Sequence, residues 1–116
     1  MKNKVIVVVG SPGRLIEALL KKMQESAMLL GKKYDIYSDS TVKINNQLTS
    51  NEHPNIDVLL LAPQLAFMKD KLVQKSKVLG IAVGVLSISD YSLSLGVPAL
   101  LTAEQVMRPE NERDIN

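Results

Sequence analysis

Apolar residues fall along this chain in two kinds of run. Val5 to Val9 is an unbroken β-branched stretch that stops at Gly10-Ser11-Pro12-Gly13. A continuous apolar run bounded by a turn predicts a strand buried on both faces, as in a parallel sheet. From about Pro12 to Gly31 the spacing changes, and Leu15, Leu19, Met23, Ala27 and Leu30 recur at helical intervals. Ser11 is expected to cap this helix, with Pro12 at its first position and Gly31 as its stop.

The alternation continues. Tyr34 to Tyr37 reads as a short second strand. Ser38 to Ser50 is polar with Val42, Ile44 and Leu48 as apolar pins, which predicts a loop or short helix. Asn51 to Asn55 is a turn cluster containing His53, expected to be an exposed loop residue. Ile56 to Leu61 reads as a third strand ending at Ala62-Pro63, followed by a helix carrying Leu65, Met68 and Leu72. Val78 to Leu86 predicts a fourth strand, with Gly80 and Gly84 blurring its limits. Ser87 to Gly96 reads as a loop, and Val97 to about Met107 as a last helix with Pro98 near its start. Met23, Met28, Met68 and Met107 fall in helical patterns and are expected to pack in the core. The expected fold is therefore α/β, a single small flavodoxin-like domain over residues 1–107. It has about four parallel strands with helices on both faces, followed by a polar tail over 108–116. In such sheets ligands sit beyond the carboxyl ends of the strands. Three segments are placed there: Gly10 to Arg14, Ala62 to Leu65, and Ser87 to Gly96.

Composition narrows the chemistry. The 116 residues hold no cysteine, which excludes disulfides, thiolate metal sites and thiol nucleophiles. With a single histidine, a structural metal site is not expected, and no cofactor is called for. The net charge of +2 and an aromatic content of 3% argue against nucleic-acid partners, which call for a concentrated basic face or stacking platforms. Lys69, Lys71, Lys75 and Lys77 form a modest basic stretch around Asp70, either a solvated face or a docking surface for an acidic partner. No apolar segment reaches transmembrane length, and the first apolar run is too short for a signal peptide. A soluble cytoplasmic protein, not itself membrane-spanning, is expected.

The stretch V-V-V-G-S-P-G-R-L-I-E-A-L-L-K-K-M, the strand exit V-L-L-L-A-P-Q and the late Ser89-Asp90-Tyr91 occur in an order and spacing that resemble a known family. It is the IIB component of the lactose/cellobiose branch of the bacterial sugar phosphotransferase system, and the similarity spans roughly residues 4 to 107. The resemblance implies a phosphocarrier. Such proteins accept a phosphoryl group from a phosphohistidine on IIA, hold it on a loop Cys, and pass it to a sugar as the membrane component IIC transports it. A thiolate at a strand end facing a helix N-terminus becomes more acidic and nucleophilic, and the same amides bind phosphoryl oxygens. Here the matching position is Gly10, which has no side chain to carry a phosphoryl group. Where the family loop has hydroxyl residues, this chain has Arg14, Leu15, Ile16 and Glu17.

Three functional readings follow. The first is a IIB-like component, non-phosphorylatable at the usual site, that docks to IIA or IIC partners in sugar uptake or its regulation. It calls for an exposed apolar rim, for which Leu15, Ile16, Leu93 and Leu95 are the candidates. The second is an active phosphocarrier with an unusual acceptor, for which Ser11 is a weak candidate with Asp90 as a conjectured base. The third is a small anion or phosphate-ligand binder formed by Gly10, Ser11, Pro12, Gly13 and the Arg14 guanidinium. Against it, these residues form an ordinary strand-to-helix turn, and Glu17 either pairs with Arg14 or repels an anion. Gln64, Asp90 and Tyr91 are expected to line the site, against ordinary capping, turn and packing roles.

Overall fold

The computed structural model describes residues 3–50 and 55–108; the turn holding His53 and most of the polar tail lie outside these residues. Four strands form one parallel sheet: β1 (Lys4–Val9), β2 (Tyr34–Asp39), β3 (Val58–Leu61) and β4 (Ala82–Val85), in the spatial order β2-β1-β3-β4. Between and after them run α1 (Arg14–Leu29), α2 (Thr41–Thr49), α3 (Lys69–Val78), α4 (Ile88–Ser92) and α5 (Gly96–Met107). The strand alternation divides the core in two. Ile6, Val8, Ile36, Val58 and Leu60 meet Ile16, Leu19, Met23, Ala99, Leu100 and Ala103 of α1 and α5. Val5, Val7, Val9, Leu59 and Leu61 meet Ile44, Leu48 and Leu72 of α2 and α3. Both faces are covered, which is why β1 and β3 carry no polar residue at alternate positions. The β1–α1–β2 and β3–α3–β4 crossovers step outward in opposite directions, so right-handed connections put α1 and α3 on opposite faces.

Several boundaries differ from the sequence expectation. Ser11 does not cap α1. Gly13 is the N-cap, without a side-chain hydrogen bond, and its carbonyl accepts the Glu17 N–H at 3.1 Å. Gly13 has φ 157° and ψ −177°, a conformation close to glycine-only, which lets the chain enter the helix after the four-residue turn Gly10 to Gly13. The strand β2 runs on through Ser38 and Asp39 because both pair with β1 opposite Val8 and Val9, and an edge strand tolerates polar residues. The segment after β3 begins as a 3₁₀ helix, Pro63–Met68, before α3. Gly80 does not belong to a strand. It follows α3 with φ 72°, and the Gly80 and Ile81 N–H groups bond back to Lys77 and Ser76 carbonyls, so β4 starts only at Ala82. The segment expected as a loop after β4 contains α4, whose N-cap Ser87 accepts the Asp90 N–H at 3.0 Å. Met23 is buried, and Met68 and Met107 pack partly against the core, but Met28 is 80% exposed and is no core residue.

Candidate functional site

The carboxyl ends of the four strands open onto one end of the molecule, and the loop after β1 lies at its centre. Gly10 is buried, and its N–H donates to the Asp39 carbonyl at 3.2 Å, tying the end of β1 to the end of β2. A Cβ built on Gly10 would lie 3.2 Å from Ile16 Cδ1, 3.3 Å from Ala62 Cβ and 3.4 Å from Tyr91 Oη. Three elements (α1, the exit of β3, and α4) therefore close around this position. Even a methyl here would need Ile16 and Ala62 to give by a few tenths of an ångström.

Two clefts flank the position. One, of about 380 Å³, is lined by Leu15, Pro63, Gln64, Ile88, Tyr91 and Ser92 and is mainly apolar. Leu15 is 45% exposed and Ile88 74%. The other, of about 280 Å³, is lined by Gly10, Pro12, Ser38, Asp39, Ser40 and Lys43 and mixes polar with apolar surface. Here the Lys43 ammonium lies 3.9 Å from Asp39 Oδ1, which also accepts the Ser40 N–H at 3.3 Å; Ser40 Oγ accepts the Lys43 N–H at 3.2 Å and caps α2. The neighbouring Tyr37 hydroxyl is held above its ordinary pKa, first by burial and then by the Asp39 and Asp35 carboxylates.

The structure thus brings Gln64 and Tyr91 together in one cleft and puts Gly10 and Pro12 in the other. Ser11, Gly13 and Arg14 are exposed at the rim between them. Asp90 lies in α4, where its N–H meets Ser87 and its carbonyl accepts the Leu95 N–H at 2.9 Å. Among the described residues no hydrogen bond joins Ser11 to Asp90, and no ion pair joins Arg14 to Glu17. The apolar rim expected from sequence splits: Leu15 and Leu93 are exposed, while Ile16 is 2% exposed and belongs to the core. The sequence reading missed Ile88 and the Ser38-Asp39-Ser40-Lys43 wall. Ile88, 74% exposed, had no periodic pattern to mark it. The polar wall was findable, since it follows a strand whose carboxyl end faces the same way as that of β1. Among the described residues no group of three or more His, Cys, Asp or Glu side chains could hold a metal ion, and no helix is long and apolar enough to cross a membrane.

Comparison with known proteins adds ancestry to this geometry. The chain is 38% identical over 107 residues to the "PTS system galactose-specific EIIB component" of Lactococcus lactis subsp. cremoris, covering 92% of this chain and 99% of the relative. The identity and coverage are the same for the "PTS system cellobiose-specific EIIB component" of Lactococcus lactis subsp. lactis. An oligo-beta-mannoside-specific EIIB component of Bacillus subtilis is 25% identical over 104 residues, covering 90% of this chain and 96% of the relative. Among solved structures, the lactose-specific IIB domain of Streptococcus pneumoniae superposes with a TM-score of 0.69 at 17% identity, covering 89% of this chain and 97% of that one. The cellobiose-specific IIB protein of Borrelia burgdorferi superposes at 0.70 and 22% identity, covering 97% and 95%. No family model matches the sequence.

Proposed function

The chain belongs to the IIB components of the lactose/cellobiose branch of the sugar phosphotransferase system, and from that premise we propose that it acts by docking rather than by carrying a phosphoryl group at the usual place. In this reading Gly10 stands where the family holds its phosphocysteine. A glycine offers no nucleophile, and Ile16, Ala62 and Tyr91 crowd the space into which a side chain would project. Ser11 is no ready substitute, because it lacks a hydrogen-bonded base among the described residues, and an unactivated hydroxyl is a poor nucleophile.

The observation that carries the docking reading is the apolar cleft of about 380 Å³ beside position 10, rimmed by Leu15 and Ile88 and backed by Pro63 and Tyr91. Large apolar side chains gathered at a strand-end surface match the buried centre of a protein interface, with the hydroxyls and charges of the neighbouring cleft as its rim. The partner is a IIA phosphocarrier of the same branch, with the membrane component IIC as the second. The role is in sugar uptake or its regulation.

The test is incubation with phosphorylated IIA, followed by intact mass and a binding titration, on the parent protein and on Gly10→Cys. Binding without a mass gain in the parent, and gain of one phosphoryl group by Gly10→Cys, is the expected result. A phosphoryl group on the parent protein would overturn the non-carrier reading. Absence of binding in both proteins would remove the docking reading and leave shared ancestry alone.

A further inference from the structure

The other end of the sheet order leaves β4 as an edge strand, and its edge is not a flat one. A groove of about 410 Å³ runs along it, floored by Ile81, Ala82 and Val83, walled on one side by Lys69, Val73 and Lys77 of α3 and on the other by Val106 of α5. The Ala82 and Leu86 N–H groups point inward, to the Asp57 and Leu61 carbonyls at 3.1 and 2.9 Å. In a parallel strand both backbone groups of a residue point the same way and successive residues alternate. Val83 therefore presents its N–H and C=O to the groove, Val85 presents its own to the same strand edge just beyond the groove's lining, and among the described residues nothing pairs with them. Lys69 and Lys77 are exposed and make no ion pair among the described residues.

We propose that this groove binds an extended acidic segment of a partner protein, which adds to β4 as a further strand. The spacing of the wall defines the segment. Lys69 and Lys77 are eight residues apart on one helix, about 12 Å. Four residues of extended chain cover about 13 Å, and residues i, i+2 and i+4 share a face. Carboxylates at the first and fifth positions therefore meet the two ammonium groups, and an apolar residue at the third meets Val73, which lies midway between them on α3. The intervening residues turn towards Val106. Backbone bonds to Val83 and Val85 supply affinity, and the lysines and valines supply selection.

Two other occupants fit less well. A second copy meeting edge to edge would bring Lys69 and Lys77 of each protomer near those of the other, a like-charge arrangement. A strand entering directly from α5 would step outward from β4 with its helix on the α1 face, whereas the right-handed β3–α3–β4 crossover in the same direction places its helix on the opposite face. That connection would be left-handed, which parallel sheets avoid.

The test uses the full chain and the synthetic peptide Thr-Glu-Val-Val-Val-Glu-Thr, blocked at both ends, with Thr-Lys-Val-Val-Val-Lys-Thr as control, followed by amide NMR shifts. Saturable binding is expected, with the largest shifts at Val83 and Val85, weakened by salt and roughly tenfold by Lys69→Glu with Lys77→Glu. Those two substitutions should confer binding of the lysine peptide, while Ile88→Asp at the strand-end cleft should leave the acidic peptide's affinity unchanged. The proposal is overturned if the acidic peptide does not bind, if the shifts map elsewhere, or if charge reversal has no effect. It is equally overturned if the Val83 and Val85 amides are already protected from exchange in the free protein, through residues 109–116 or through self-association.

Discussion

Gly96 opens α5 against the backbone of α1, and replacing it with alanine tests the packing that fixes the face on which α5 lies. A Cβ at this position would lie 2.5 Å from the Lys22 carbonyl oxygen, 2.6 Å from the Lys22 carbonyl carbon and 2.7 Å from Ser26 Oγ. Ordinary contacts begin near 3.4 Å, so the two helices must separate by roughly 0.9 Å to accept the methyl group, which forfeits a quarter to a half of the dispersion energy across the opened contact. Overpacking of this kind costs about 1–3 kcal/mol. Helix propensity works the other way, since alanine is favoured over glycine by about 1 kcal/mol in a helix interior and by less in a first turn. The clash wins, and Gly96→Ala should destabilise by about 2 kcal/mol, lowering Tm by roughly 6–12 °C for a domain of this size. Urea denaturation followed by circular dichroism should show a lower midpoint with an unchanged m-value. Because two of the three clashing atoms belong to the α1 backbone, Ser26→Gly should not rescue the variant. A Gly96→Ala protein as stable as its parent would refute the reasoning, since it would mean that α5 can move off α1 without loss.

Ser76 is fully buried in α3 and its Oγ has no hydrogen-bond partner among the described residues, so Ser76→Ala removes an unsatisfied hydroxyl and favours the helix; a gain of about 1 kcal/mol in the same denaturation assay is expected. Tyr34 donates a hydrogen bond to Glu104 Oε2, which also meets the Lys32 ammonium at 3.3 Å. The Tyr34 hydroxyl is pushed up to about 12, first by burial and then by Glu104. The native state holds this proton more tightly than the unfolded chain, so its contribution to stability is complete below pH 10 and is lost as pH rises to about 12. The Glu104 carboxyl is held below its ordinary value, first by the Tyr34 hydrogen bond and then by Lys32, against the opposing effect of burial, so its contribution is present above pH 4.5 and falls away as pH drops through the lowered value. Tyr34→Phe should flatten the alkaline limb and reduce the acid one, as read from denaturant midpoints across pH. Ile88→Asp, at an exposed first-turn position of α4, should change stability by no more than about 0.5 kcal/mol while weakening IIA binding about tenfold or more in the titration; unchanged affinity would place the docking surface elsewhere.

Much of the scaffold was legible in the chain itself. The run Val5 to Val9 and the stretch Val58 to Leu61 are apolar at every position, which only a strand covered on both faces requires. The spacing of Leu19, Met23 and Ala27 marked the buried stripe of α1, and Gly31, with φ 70°, stands just past that helix as its glycine stop. These signals are local, each read from residues within one or two turns of one another. The strand-end segments were placed by the same alternation, and the matching motifs pointed to the family that the relatives then established.

What local pattern could not decide was which partner each residue would meet. Gly80 sits inside an apolar run and looks like part of a strand, yet its left-handed backbone ends α3, because the pairing of β4 with β3 begins only at Ala82. Leu15 and Ile16 are neighbours of similar character, but the packing of α1 on the sheet buries Ile16 against position 10 and leaves Leu15 at the cleft. The apolar strand-end cleft takes residues from three separate segments and the polar one from two, and the edge groove needs α3, β4 and α5 at once. The sequence by itself determined the four strands and the longer helices, the sheet class and the ancestry, because hydrophobic periodicity and turn chemistry act over a few residues. Only the tertiary structure decided which faces stay open, because exposure depends on what other segments bring to the same place.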